Sequence, residues 1–564
     1  MLRERPRSLF PLVLLSLLLS IGCKQRAQEP LRTPNSDPIQ HGLFSGNPPS
    51  EALSLTLPGP AATSLVISAG LHGYTEPCGC TEDILQGGID RLAGVARALD
   101  AQLPSSLAVS AGDTLFRFDE AQDDEAAQDR ARLEALAVGI KAAGIRLMGV
   151  GPRDLSRGLA TLEDFASAAD LQLLSTNLQP KDDARWSPVV TQELADLRLA
   201  FFSLVDEAAI QNTPHANALT ILPAQTQLEK HLASRDARNA DLRVLFFHGS
   251  QEAAATLINA VHGIDFLVLS QSAASTNEAA TWGTTTVLHV WTQGRELGVL
   301  RLNKPAEAED HTRTWSNARA LSSDESEALQ EMIGVVEEQI ASLQARLEPG
   351  QESPLLARLQ ERKAGYEEEL RAAGTDDAVN FSPIDRQFLW DIVPLVPGLP
   401  EDQVTQAARQ HFNKQLQTIN LEGAAPPPAA ASGEAAFVGD ANCASCHRAA
   451  HSQWNTTAHA SAFATLVERE KHFDLECVGC HVTGYQEPGG SSLGFLEGLE
   501  NVQCESCHGP GSLHAAAPTS AGKAQAILRD VREATCLSCH TPEHSPRFDY
   551  DSYLPRIIGE GHGR

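Results

Sequence analysis

Methionine and aromatic side chains are what this 564-residue chain has least of: three Met, six Trp, five Tyr and eighteen Phe. Positive charge is also short, with 44 Lys and Arg against 72 Asp and Glu and a formal net charge of −28. A surface of that sign repels nucleic acid and anionic lipid headgroups, so neither is expected as a partner. Beyond the first 22 residues no apolar run approaches the ~18 residues of a membrane span. The body of the chain is therefore expected to be soluble, and its length calls for two or three domains rather than one core.

The amino terminus carries a targeting segment. MLRERPR supplies three arginines, and LFPLVLLSLLLSIG is an apolar run too short for a secure span, ending at Cys23. The stretch LSIGC resembles a bacterial lipoprotein signal, although Ser20 stands where that pattern prefers leucine. The resemblance implies a signal peptide over 1–22, lipidation of Cys23 and anchorage of an exported protein in the periplasm. Lys24 after the cysteine favours the outer of two membranes. Residues 23–60, rich in Pro, Asn and Ser, read as a flexible tether.

Cysteine is present in quantity. Of eleven, eight fall into four copies of one pattern: Cys443-Ala-Ser-Cys446-His447, Cys477-Val-Gly-Cys480-His481, Cys504-Glu-Ser-Cys507-His508 and Cys536-Leu-Ser-Cys539-His540. Two thiols three positions apart on one helical turn can add to the two vinyl groups of one porphyrin. The next histidine then lies under the iron. Zinc pairs of the same spacing carry no obligatory histidine there, and here every pair has one. The pattern predicts four covalent c-type haems with His447, His481, His508 and His540 as proximal ligands, attached outside the cytoplasm as the export signal requires.

Residues 437–564 hold ten histidines and no methionine. Met/His ligation is therefore unavailable locally, and the irons are expected to be bis-histidine or open, with low potentials. The spare histidines are His451, His459, His472, His514, His544 and His562. His514 follows His508 too closely to wrap round the same porphyrin, so a neighbouring haem is its expected target. The segments HRAAHSQWNTTAHASAF, CVGCHVTGYQEPGG, VQCESCHGPGSLH and CLSCHTPEHSPRFDYDSYLPRIIGEGH resemble the tetrahaem cytochrome c-554 family across essentially all of 437–564. That resemblance implies electron transfer with a redox protein or a quinone-linked donor or acceptor. It further implies distal ligands drawn from other motifs, with His459, His514 and His562 ahead of His451, His472 and His544. Such proteins can leave one iron five-coordinate, so a haem enzyme acting on a small nitrogen or sulfur species is the alternative. Few aromatics also predict a domain that folds around its porphyrins.

Residues 61–305 alternate apolar strands with helical segments, which predicts an α/β domain. SLVISAG, SLAVSAGD, IRLMGVG, LQLLSTN, LRLAFFSLVD, LRVLFFHGS and IDFLVLSQS read as strands; GGIDRLAGVARALDAQL and DRARLEALAVGIKAAG read as helices. The order of their strand ends resembles the metallophosphatase domain of the 5'-nucleotidase family. His72, Asp113 and His248 match that pattern. Gly70 stands for its first aspartate, Pro152 and Arg153 replace Asn-His, and Gln271 and Ala273 replace the last two histidines. The resemblance implies a sandwich that binds two metals, but these departures imply that the metals are lost, so no divalent metal is expected, with phosphohydrolase activity as the competing reading. Cys78 and Cys80 beside that site are a redox or soft-metal pair, or else part of a turn fixed by Pro77 and Gly79.

Between the two ends, residues 319–374 are expected to form a helical hairpin, a spacer or a dimer contact. Residues 375–422 read as a helical connector and the Pro/Ala-rich 423–436 as a linker. The expected architecture is multidomain: an α/β metallophosphatase-like sandwich, the hairpin spacer, and a mainly α multihaem domain over 437–564.

Overall fold

The computed structural model describes residues 55–57, 59–78, 85–118, 126–181, 186–210, 215–272, 279–304, 315–318, 323–344, 353–372, 385–541 and 548–559, with isolated positions that include Leu53 and His562. Cys23, Cys80, Ala273 and His544 lie outside the described residues, as do the side chains of Cys78 and Gln271. Among the described residues no helix is long and apolar enough to cross a membrane.

Two sheets stack face to face. The first has seven strands, in the order Ser316–Asn317, Gln387–Pro394, Glu296–Asn303, Thr63–Ser68, Ser106–Ser110, Leu147–Gly149 and Gln172–Leu174. The second runs Ala280–Trp282, Thr285–Trp291, Phe266–Ser272, Leu242–His248, Leu197–Val205 and Val190–Leu194. Strands such as LRVLFFH are buried along their whole length because the opposite sheet covers one face and helices cover the other. Between the sheets pack Leu65, Ile67, Phe201, Phe246, Phe266 and Trp390. Helices Ile89–Gln102, Ala126–Ala142 and Leu159–Ala169 close the outer face of the first sheet, and Ala224–Leu232 and Gln251–Ala260 that of the second.

The sandwich does not end at residue 305. Residues 387–394, expected within a helical connector, form a strand paired antiparallel along the full length of Glu296–Asn303. The helix that follows, Gln403–Glu422, packs Phe412 and Leu416 against Ala131 and Ala135. Helix Ala126–Ala142 is thus covered on two sides, which explains why Gln128, Asp129 and Arg132 are buried along with its apolar residues. The end of the expected tether is also fixed: Leu55 is buried, Leu53 N–H donates to Gly398 O at 3.0 Å, and Pro60 O accepts from Arg301.

Helices Ser323–Gln344 and Pro354–Ala372 lie side by side, joined by Lys363 Nζ to Glu337 at 2.9 Å. The 423–436 segment is no free linker. Ala425 O accepts from Ser492 Oγ at 2.5 Å, Pro428 O from Gly489 N at 2.6 Å, and Ala436 N donates to Ser512 Oγ at 2.8 Å. The region beyond 437 is a set of short helices, each motif on or beside one. Its apolar cluster is small: Val478, Val482 and Leu493 with Phe463, Phe473, Leu475, Tyr485 and Leu496 at its edge.

Candidate functional site

In the sandwich, strand ends bring His72, Asp113 and His248 to one edge. His72 and Asp113 both take left-handed backbone, φ 52° and 51°, which turns the chain sharply as each strand stops. Asp113 and His248 are fully buried. His248 Nδ1 lies 2.8 Å from Ser270 Oγ and 3.3 Å from Asp113 Oδ2, and the other Asp113 oxygen accepts from the Arg153 backbone N–H at 3.0 Å.

Sequence reasoning passed over Asp154. It accepts hydrogen bonds from the backbone of Asp113, Thr114, Leu115 and Gly151, at 2.6–3.0 Å, and so clasps two strand ends together. Burial pushes its carboxyl up to about 6 and the charge of Asp113 adds to the rise, while the Gly151 and Leu115 N–H groups oppose it. Its position directly after Arg153 was the available signal. Ser270 was missed as well, since a lone serine in a strand announces nothing.

A catalytic cation takes three or more protein ligands, and among the described residues no group of three or more His, Cys, Asp and Glu converges. Where the resemblance would place an aspartate at Gly70, a Cβ would stand 2.6 Å from the Thr292 methyl and 2.7 Å from Ser270 O. Arg153 directs its guanidinium to Arg117 O.

The carboxyl-terminal motifs have a different character. His481 Nδ1 is 2.6 Å from Ala462 O, His508 Nδ1 2.7 Å from Leu528 O, and His540 Nδ1 2.9 Å from Ser545 Oγ. A bond from Nδ1–H fixes the ring and leaves the Nε2 lone pair for a metal, the usual arrangement of ligating histidine. His514 has the same anchor, with Nδ1 2.8 Å from Lys523 O. Its ring faces that of His447 at 6.0 Å between centres and 30° between planes. His459 faces His540, also at 6.0 Å and 43°. Two imidazoles whose nitrogens each stand about 2 Å from one metal have ring centres about 6 Å apart. The donor set and both spacings therefore fit haem iron.

The other spare histidines are placed differently. His451 uses Nε2 on Asp440 at 2.7 Å and faces Asn455 with Nδ1, so both nitrogens are engaged within the protein and the candidate ligand role is not supported. His472 packs between Phe463 and Phe473. His562 is exposed and lies 3.4 Å from Gly559 N. Among the described residues, no ring contact pairs His481 or His508 with another histidine.

The thiols show which motifs are neighbours. Cys443 and Cys504 are neighbours, which raises the first thiol and lowers the second. Cys480 is a neighbour of Cys539 and draws its thiol down to about 6. Burial pushes Cys507 up to about 11, with Cys536 and Cys539 adding to the rise. Thiol neighbours thus connect the first motif with the third, the third with the fourth and the fourth with the second.

The second motif meets the sandwich. Asp474 caps its helix, Leu475–His481, by accepting from Glu476 N. Lys471, 6% exposed, reaches Asp474 at 3.1 Å and Glu76 at 3.5 Å. Arg132 binds Glu476 at 2.7 Å and Asp129 at 2.9 Å. Arg409 joins Glu76 at 2.6 Å to Asp90 at 2.8 Å, and Asn420 Nδ2 donates to Phe473 O and to Gln128. The Phe412 ring lies under both Lys471 and Arg132, at 5.3 and 5.9 Å.

Comparison with known proteins gives the family of the carboxyl-terminal part. Residues 442–509 match the family described as cytochrome c554 and c-prime. Over 159 aligned residues the chain is 37% identical to cytochrome c-554 of Nitrosomonas europaea, covering 22% of this chain and 68% of the relative. Among solved structures, it is similar to a 5'-nucleotidase precursor from Thermus thermophilus, at 14% identity and TM-score 0.42 over 63% of this chain and 59% of that one. A sulfate thiohydrolase from the same organism gives 16% and 0.39 over 44% of this chain and 55% of that one. The NAD nucleotidase of Haemophilus influenzae gives 14% and 0.36 over 43% and 53%. The chain spans only a little over half the length of each of these three structures.

Proposed function

The chain belongs to the cytochrome c-554 family through its carboxyl-terminal part, and on that premise we propose that it is an exported, lipid-anchored carrier relaying single electrons through four haems. Its partner is a redox protein or a quinone-linked donor or acceptor. When bound, each haem supplies a one-electron change between ferric and ferrous iron. The chain's own residues do the rest. Cys443, Cys446, Cys477, Cys480, Cys504, Cys507, Cys536 and Cys539 tether the groups, and His447, His481, His508 and His540 ligate them. His514 serves the first motif and His459 the fourth as distal ligands; His562 remains a candidate distal ligand of another iron. Carbonyls of Ala462, Leu528 and Lys523 hold the ligating rings in one tautomer, so coordination stays the same in both oxidation states.

The observation that carries this reading is the 6.0 Å opposition of His447 to His514 and of His459 to His540. In the sandwich, we read Gly70, Arg153 and the Ser270–His248 bond as a metal centre given up. Cys78 and Cys80, just beyond Glu76, remain the candidate redox pair. The test is the intact mass of protein matured in a haem-attaching periplasm, together with its visible and EPR spectra. Four added tetrapyrroles and mostly low-spin ferric iron are expected; a polypeptide mass without them refutes the proposal.

A second reading has specific support. The ring contacts leave His481 and His508 unmatched among the described residues, so an iron open on one face would bind a small nitrogen or sulfur species. CO uptake by the reduced protein reports such an iron, and CO-inert protein excludes it.

A further inference from the structure

The second motif is gripped by the sandwich, and the grip is electrostatic. Five residues meet with little access to water: Glu76 and Arg132 from the sandwich, and Lys471, Asp474 and Glu476 from the segment leading into Cys477. The contacts continue inward. Glu476 lies 4.0 Å from Arg117, whose carbonyl accepts from Arg153, whose backbone N–H in turn donates to Asp113. An unbroken polar chain therefore runs from the strand-end cluster to the residue beside Cys477.

We propose that the sandwich is a built-in partner of the haem on Cys477 and Cys480, and that Arg132, by offsetting the charge of Glu476, keeps this carboxylate from pulling the haem's potential down as well as holding the motif in place. The inference rests on the four-haem reading above. Charges held in a weakly polar interface act over several ångströms with little screening. Ferric haem carries one more positive charge than ferrous. A nearby carboxylate thus favours the ferric form and lowers the potential, and a nearby guanidinium does the opposite. Arg132 and Glu476 are positioning residues whose opposed charges cancel at this site. The potential set here decides whether electrons collect against the sandwich or drain away from it.

The test is a spectroelectrochemical titration of full-length holoprotein with Arg132→Met, Glu476→Gln and the double variant. Three potentials are expected to stay in place. The fourth falls in Arg132→Met, rises in Glu476→Gln, and returns near the wild-type value in the double variant. Loosened docking would move it the same way in both single variants, and that result overturns the proposal. So does a shift shared by all four haems, or none. Should Arg132→Met fail to accumulate, Arg117→Gln must lower the same potential, and a rise refutes the idea equally. The wild-type mass tests the four-haem reading on its own: four attached haems with unmoved potentials sink this inference alone.

Discussion

Replacing His514 by alanine is the sharpest probe of the proposed ligation. The side chain is half-buried and makes one internal hydrogen bond, from its ring to Lys523 O at 2.8 Å. Losing that bond costs about 1 kcal/mol. The Lys523 Nζ bond to His514 goes to the backbone carbonyl at 3.1 Å and survives the change. The polypeptide fold should therefore persist, while the iron facing His447 loses its second imidazole outright. Ferric EPR should show one low-spin centre of the four converted to high spin, and the reduced variant should take up one further CO per chain. Millimolar imidazole should restore the low-spin signal. His451→Ala is the control, since that ring is engaged by Asp440, and it should leave every iron unchanged. A His514→Ala protein with its full low-spin complement, or one altered at all four irons, would refute the assignment drawn from the 6.0 Å opposition of the rings.

Two further outcomes can be stated. Asp402 caps helix Gln403–Glu422, accepting from Thr405 N and Thr405 Oγ1 at 2.9 Å each and pairing with Arg97. Burial alone would raise its carboxyl, but these donors outweigh it and hold it below the ordinary value. Its stabilisation is therefore present above the usual carboxylate range and is lost as pH falls through the lowered folded-state value. Asp402→Ala should cost about 1–2 kcal/mol near neutrality and less in acid, measured by denaturant unfolding at several pH values. For the sandwich, nucleotides and a generic phosphomonoester with added manganese or zinc should not be hydrolysed above background. Hydrolysis that His72→Ala abolishes would restore the phosphohydrolase reading.

What could be read from the residues, and what could not, divides along sequence distance. The haem signatures are legible because thioether chemistry sets a spacing of three residues on one turn. The central strands are legible because VLFF and FLVL are buried on both faces, so local hydrophobicity alone marks them. Strand Gln387–Pro394 escaped notice, although QFLWDIVP is just as apolar. Its partner Glu296–Asn303 lies some ninety positions earlier, and the helical patterns on either side set the expectation for the whole stretch. The same limit hid Asp154, whose work is to hold backbone N–H groups from two strand ends, and the Arg132–Glu476 pair, formed between residues 344 positions apart by number.

That division bears on how the two halves depend on each other. Among the described residues the carboxyl-terminal region has one small apolar cluster of its own, so under the proposed haem attachment its order rests on porphyrins and on what it leans against. The sandwich supplies the second support. Helix Gln403–Glu422 presents Phe412 to Ala131 and Ala135 on one side, and to Lys471 across the junction on the other. The buried charges there are matched closely, Glu76 between Arg409 and Lys471, Glu476 beside Arg132 and Arg117. Isolated, each charge would cost several kcal/mol to bury, and paired they roughly break even. Such a junction adds little net stability but tolerates only one register. Its consequence is to hold the second motif in a single position against the sandwich, which under the proposed electron-carrier function fixes part of the electron path.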